Sequence, residues 1–266
     1  MRARYPERIV CLTEETTETL YLLGEERRIV GISGYTVRPP RARREKPRVS
    51  AFLSAKTDKI LALEPDLVLG FSDLQADIAR ELAKAGLNVV IFNQRSVDEI
   101  LSMILALASM VGAADKGKRL IEKLENELES IKLAARRLPR RPRVYFEEWD
   151  EPMISAIRWV SELIGIAGGD DVFSNLSMSQ AASGRTVADP QEVARRAPDV
   201  ILGSWCGKKF RPERVAARPG WDAIPAVRDG ELHEIKSADI LQPGPAALTD
   251  GVHRIHEILT AWAARR

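Results

Sequence analysis

The chain has 266 residues, room for one large α/β domain or two of roughly 110–130 residues each. With 45% hydrophobic and 29% charged residues it has the balance of a folded globular protein rather than a disordered one. Its 40 Lys and Arg against 38 Asp and Glu give a net charge of +2, which argues against nucleic-acid binding through a broad basic face. The two cysteines, Cys11 and Cys206, are too few for a disulfide framework or a four-cysteine zinc site, although one bridge between them is open.

No apolar stretch with a small-residue cleavage site precedes the first strand-like run, so no secretory signal is visible. The chain reads either as cytoplasmic or as the mature form of an exported protein. From there, runs of β-branched residues alternate with helix-length segments. Arg8-Ile-Val-Cys-Leu12 leads to a helix over 16–24, and Arg28-Ile-Val-Gly-Ile32 to a proline-rich loop. Asp66-Leu-Val-Leu-Gly70 leads to a helix over 74–86, and Asn88-Val-Val-Ile-Phe92 to one over 97–111. The alternation predicts βα units around a mostly parallel sheet filling residues 1–112.

Over 113–138, Leu120, Ile121, Leu124, Leu128 and Ile131 recur at spacings of three and four, the stripe of one long amphipathic helix. At 1.5 Å per residue it extends about 39 Å. The βα pattern then restarts in residues 139–266. It predicts a strand at Arg143-Val-Tyr-Phe146, a helix from Trp159 to Ala167 closed by Gly168-Gly169, and a helix opened by Asp189-Pro190 as N-cap and first position. A strand at Asp199-Val-Ile-Leu-Gly203, another at 231–235 and a helix over 246–264 complete the series. The fold class expected is α/β: two doubly wound lobes, each with a mostly parallel sheet, joined by one long α-helix.

Catalytic signatures are sparse. No G-x-G-x-x-G opens a helix, and no phosphate-binding G-x-x-x-x-G-K-[ST] loop exists. Gly203-Ser-Trp-Cys-Gly207 resembles a nucleophile elbow but places Trp205 where the nucleophile belongs. His253 and His256 could present two ligands on one helix face, yet a solvated or packed face is the commoner outcome at that spacing. Glu147-Glu-Trp-Asp-Glu151 gathers four carboxylates after a strand, either for acid/base work or, more often, as a solvated polar rim. Tyr35, Phe52, Trp149 and Trp205 fall in expected loops, and Cys206 follows a strand. In open α/β sheets these are the edges where ligands bind, and aromatics there suit a large flat ligand.

Arg8-Ile-Val-Cys-Leu-Thr13, Ile29-Val-Gly-Ile-Ser33, Leu63-Glu-Pro-Asp-Leu-Val68, Trp159-Val-Ser-Glu-Leu-Ile164 and Ala197-Pro-Asp-Val-Ile201 resemble, in order and spacing, the substrate-binding proteins of ABC importers for cobalamin, iron-siderophores and haem. The resemblance covers nearly the whole chain. Glu147-Glu-Trp-Asp150, Ser204-Trp-Cys-Gly-Lys208 and Ile240-Leu-Gln-Pro-Gly-Pro245 look most like the cobalamin-binding branch. It implies a bilobed fold without catalysis or cofactor, which captures a cobalamin-like corrinoid in an inter-lobe cleft and delivers it to importer membrane subunits. A monomer with an extracytoplasmic location is implied. Haem or a ferric siderophore on the same fold is the first alternative, and a cytoplasmic corrinoid-handling protein or enzyme the second.

By the same resemblance, Tyr35 matches a cleft tyrosine and Phe52 stands where better-known members place a cleft tryptophan. Asp239 matches a cleft aspartate, and Gln242 falls near a cleft arginine. Trp149, Trp205 and Cys206 join these as ligand-binding candidates from their strand-end positions. Members dock on the importer through one surface carboxylate per lobe. Asp58 occupies the first such position, while Gln191, with Glu192 beside it, occupies the second.

Overall fold

The computed structural model describes residues 5–265, and the chain forms two compact units. The first comprises the chain up to Gln94 together with Asp98–Lys123; the second comprises Arg95–Val97 and the chain from Leu124 onward.

In the first unit five parallel strands are ordered β3-β2-β1-β4-β5: β1 (Ile9–Cys11), β2 (Ile29–Ser33), β3 (Arg48–Ser50), β4 (Leu67–Phe71) and β5 (Val89–Phe92). Strand order reverses between β1 and β4, which makes a doubly wound sheet with a switch point at that gap. β1 and β4 are buried along their whole length, so they read as unbroken apolar runs rather than as an alternation. Val10, Leu12, Val49, Ile60, Val68 and Leu82 form the core on one side of this sheet.

The long helix spans Ala114–Ala135, 22 residues against the 26 expected, or about 33 Å. Its residues up to Lys123 group with the first unit and those from Leu124 with the second. Of the expected stripe Leu124, Leu128 and Ile131 are buried and Leu120 and Ile121 partly so, while Ala135 extends the buried face by one turn.

The second unit is built on β6 (Arg143–Asp150), β7 (Met153–Ser155), β8 (Asp170–Asp171), β9 (Val200–Gly203) and β10 (Leu232–Glu234). The order is β10-β9-β6-β7, with β8 pairing parallel to the start of β6 and β7 pairing antiparallel to its end. The strand expected to stop at Phe146 therefore runs four residues further, through the carboxylate cluster, and turns back as a hairpin. Gly203 closes β9 because Phe210 packs against it: a Cβ there would meet the ring at 1.9 Å.

Asp189 caps the helix Pro190–Arg196 as expected, accepting from the Gln191 amide at 3.0 Å. The terminal helix is not uniform, since Ala247–Gly251 forms a π-turn before Val252–Ala263 continues as α-helix. There the Asp239 carbonyl oxygen lies 2.4 Å from where a Cβ of Gly251 would sit, so only glycine fits. Among the described residues no helix is long and apolar enough to cross a membrane.

Candidate functional site

Loops leaving the carboxyl ends of parallel strands are where an open α/β sheet holds ligands. In the first unit these carry Tyr35, 60% exposed, after β2 and the partly buried Phe52 after β3. Gln75 ties the edge together: its Oε1 accepts from the Phe71 amide at 3.0 Å and its Nε2 donates to the Phe52 carbonyl at 2.9 Å. The loop bearing Phe52 is thus fixed to the end of β4. Asp58, exposed, lies in the first turn of the short helix Thr57–Leu61, a favourable place for a carboxylate beside the helix dipole.

The helix Glu14–Leu22 starts directly after β1, and its first turns bury Glu14, Glu15 and Glu18. The sequence spacing begins this helix at residue 16, which leaves Glu14 and Glu15 outside it, and gives none of the three a site role. The Tyr35 loop folds onto them. The Val37 amide donates to Glu14 at 3.2 Å, and Arg38 Nε donates to Glu18 at 2.9 Å. Glu15 accepts from Thr13 Oγ1 at 2.5 Å, while its second oxygen is buried without a hydrogen-bond partner. Burial pushes the Glu14 carboxyl up to about 8 and Glu15 up to about 7, with the neighbouring Glu18 adding to both.

Carboxyls whose folded pKa is raised stabilise the fold in their neutral form. That contribution is present in full below the unfolded value and is lost as pH rises through 7 and 8. Thermal melts followed by circular dichroism are therefore expected to show a lower midpoint at pH 8.5 than at pH 5.5. Glu14→Gln with Glu15→Gln should flatten that slope; an unchanged slope in the double variant would assign it elsewhere.

In the second unit the carboxylate cluster is paired rather than solvated. Glu147 is fully buried and accepts from Arg218 Nη1 and Nη2 at 2.5 and 2.9 Å, from Trp205 Nε1 at 3.0 Å and from the Tyr145 hydroxyl at 3.1 Å. Glu148 pairs with the buried Arg185 at 2.5 and 3.1 Å. Asp150 takes an ion pair from Lys208, which with Arg214 holds its carboxyl below the usual carboxylate range against the opposing effect of burial. The expected solvated rim is thereby corrected: each of these three carboxylates has a cationic partner.

Trp149 sits at the edge, its indole nitrogen donating to the Glu151 carbonyl at 2.8 Å and the Lys208 ammonium 4.1 Å above its ring. Trp205 is 3% exposed and packs edge-on against Phe210 at 5.1 Å, so most of its indole is core. Cys206, next to it, is exposed, whereas Cys11 is fully buried with its thiol pushed up to about 12 by burial, and both thiols are free. Asp239 lies on the short helix Ser237–Ile240 after β10, and Gln242 follows it; both are partly buried.

Of the docking candidates, Gln191 donates to the Pro219 carbonyl at 2.8 Å, and Glu192 is held by Arg195 and Arg196 at 2.7 and 2.9 Å. His253 lies 2.7 Å from Glu127 and His256 Nδ1 2.9 Å from the Ala167 carbonyl. The two histidines thus point to separate partners.

The chain is 29% identical to the vitamin B12-binding protein of Vibrio cholerae over 260 residues, covering 94% of this chain and 87% of that one. It is 24% identical to an uncharacterized ABC transporter substrate-binding lipoprotein, YvrC, of Bacillus subtilis, covering 95% and 79%. The periplasmic heme-binding protein RhuT of Roseiflexus sp. RS-1 superposes with a TM-score of 0.80 at 25% identity, covering 96% and 99% of the two chains. The periplasmic vitamin B12-binding protein BtuF of Vibrio cholerae superposes with a TM-score of 0.76 at 22% identity, covering 99% and 100%. These are two-lobed proteins of parallel-sheet α/β architecture. The profile of the periplasmic binding protein family matches residues 9–238, and the chain belongs to that family.

Proposed function

We propose that the chain is the substrate-binding protein of an ABC importer and that it captures a cobalamin-like corrinoid on the loops at the carboxyl edges of its sheets. The observation that carries this reading is the near full-length similarity to vitamin B12-binding proteins. Exposed or half-exposed aromatics at Tyr35, Phe52 and Trp149 support it, because a corrin face gains stacking and buried area from such groups. Asp239 and Gln242 supply polar contacts at the ligand edge, and Cys206 lines the same loop as Trp205.

Delivery follows through Asp58, an exposed carboxylate suited to an arginine on a membrane subunit. Gln191 stands at the second docking position without a charge, so that contact passes to Glu192 once it exchanges its own arginines for the importer's. A second reading, haem on the same loops, is favoured by the similarity to a periplasmic heme-binding protein along 96% of this chain.

Titration with cobalamin, cobinamide, haem and ferric siderophores, followed by absorbance and calorimetry, separates the readings. One corrinoid per chain is expected, and Tyr35→Ala and Phe52→Ala should each weaken it about 10–100-fold, the equivalent of ~1.5–3 kcal/mol for a buried aromatic contact. Haem binding without corrinoid binding would transfer the assignment to the second reading. Turnover of any corrinoid would remove the binding-protein assignment altogether.

A further inference from the structure

β9 and β10 are adjacent and parallel, with Gly203 paired to Glu234, so the loops that follow them leave the sheet side by side. Lys208 and Lys209 lie on the first loop and Lys236 on the second. Together with Ser237 and Glu234 they line one small pocket of about 280 Å³ in the second unit. Lys208 is committed to Asp150 and to the Trp149 ring. Lys209 and Lys236 are exposed and have no carboxylate partner among the described residues. Glu234, which lines the same pocket, accepts from the Phe210 amide at 3.0 Å and forms no ion pair with either lysine.

We infer that this pocket is an anion-binding subsite, in which Lys209 and Lys236 receive a phosphate or carboxylate carried on the periphery of the ligand. The inference rests on the proposed ligand-binding role. Three features carry it. Lys208, Lys209 and Lys236 line one concavity against a single carboxylate, Glu234, in a chain whose charges otherwise nearly balance at +2. The pocket is at the small end of ligand cavities, about 300 Å³ and upward, so it holds a substituent and not a macrocycle. It also opens at the strand ends where the ligand is expected. Ser237 offers a hydroxyl to the same anion, and the ammoniums offer donors that strengthen when the acceptor is charged.

Two ligand pairs differ mainly in such a charge: cobinamide phosphate carries a phosphate that cobinamide lacks, and haem carries two carboxylates that its dimethyl ester lacks. In calorimetry at low salt the wild type should bind the anionic member of at least one pair about tenfold tighter than its partner. Lys209→Gln/Lys236→Gln should bring that ratio close to one, and so should high salt. The pair that shows the preference identifies the anion. Ratios near one in the wild type, or a preference that survives the double variant, would overturn the subsite while leaving corrinoid or haem binding in place. If none of the four macrocycles binds, citrate becomes the probe, and the proposed function fails as well unless cobalamin itself binds. Saturable citrate binding lost in the double variant would sustain the subsite, and no binding would overturn it.

Discussion

Arg218→Ala should destabilise the protein by about 3–5 kcal/mol, the usual consequence of stranding one partner of a buried ion pair. Glu147 has no exposed surface, and the guanidinium supplies two of its four hydrogen bonds. Without it a charged carboxylate is left among Tyr145, Trp205 and the strands, where desolvation is uncompensated. Glu147→Gln should be milder, because the amide oxygen still accepts from Trp205, the amide nitrogen can donate to the Tyr145 hydroxyl, and no buried anion is left. Combining Arg218→Met with Glu147→Gln should recover much of the loss. Urea unfolding followed by circular dichroism measures all three, and a loss below about 1 kcal/mol in Arg218→Ala would show that water reaches Glu147.

Trp205→Ala is the second large effect, about 3–5 kcal/mol, since it empties a core position and removes a donor from Glu147. Trp149→Ala lies at the sheet edge under the Lys208 ammonium, and its loss should cost about 1 kcal/mol or less. The two substitutions therefore separate folding from binding. If Trp149 stacks on the ligand, its variant weakens binding while its urea midpoint stays near the wild-type value. Weakened binding in Trp205→Ala carries no such meaning unless stability is held, by working at low temperature, well above the unfolding range. Equal stability losses in both variants would contradict the core position assigned to Trp205.

The central parallel strands were legible in the sequence because both their faces are covered, which forces runs such as Ile9–Cys11 and Val200–Gly203 to be apolar throughout. The long helix was legible from its stripe, and the helix after Asp189 from its cap. The continuation of β6 through Glu147–Asp150 was not. Charged residues read as loop unless their partners are known, and those partners lie far away in sequence: Arg218 is 71 residues beyond Glu147 and Arg185 is 37 beyond Glu148. β7 and β8, three and two residues long, are too short to show a period.

At the site, strand ends and loop aromatics placed Tyr35, Phe52 and Trp149 on the carboxyl edges. The same rule placed Trp205 there too, but position at a strand end does not say which way a side chain turns, and Phe210 behind Gly203 draws this one inward. Lys236 left no trace, since a single lysine after a three-residue strand is unremarkable until β9 brings Lys209 beside it. The Lys208-Lys209 pair just past a strand was the available signal.

All five tryptophans, at positions 149, 159, 205, 221 and 262, fall in the second unit, and the first has no tryptophan, its tyrosines standing at 5, 21 and 35. Four of the five indoles are at most 3% exposed. Emission excited at the red edge of the indole band consequently reports on one unit alone. Far-ultraviolet dichroism weighs both. Coincident midpoints from the two optical signals would mark a single cooperative transition, and separated ones would resolve the stability of each half without any label being introduced.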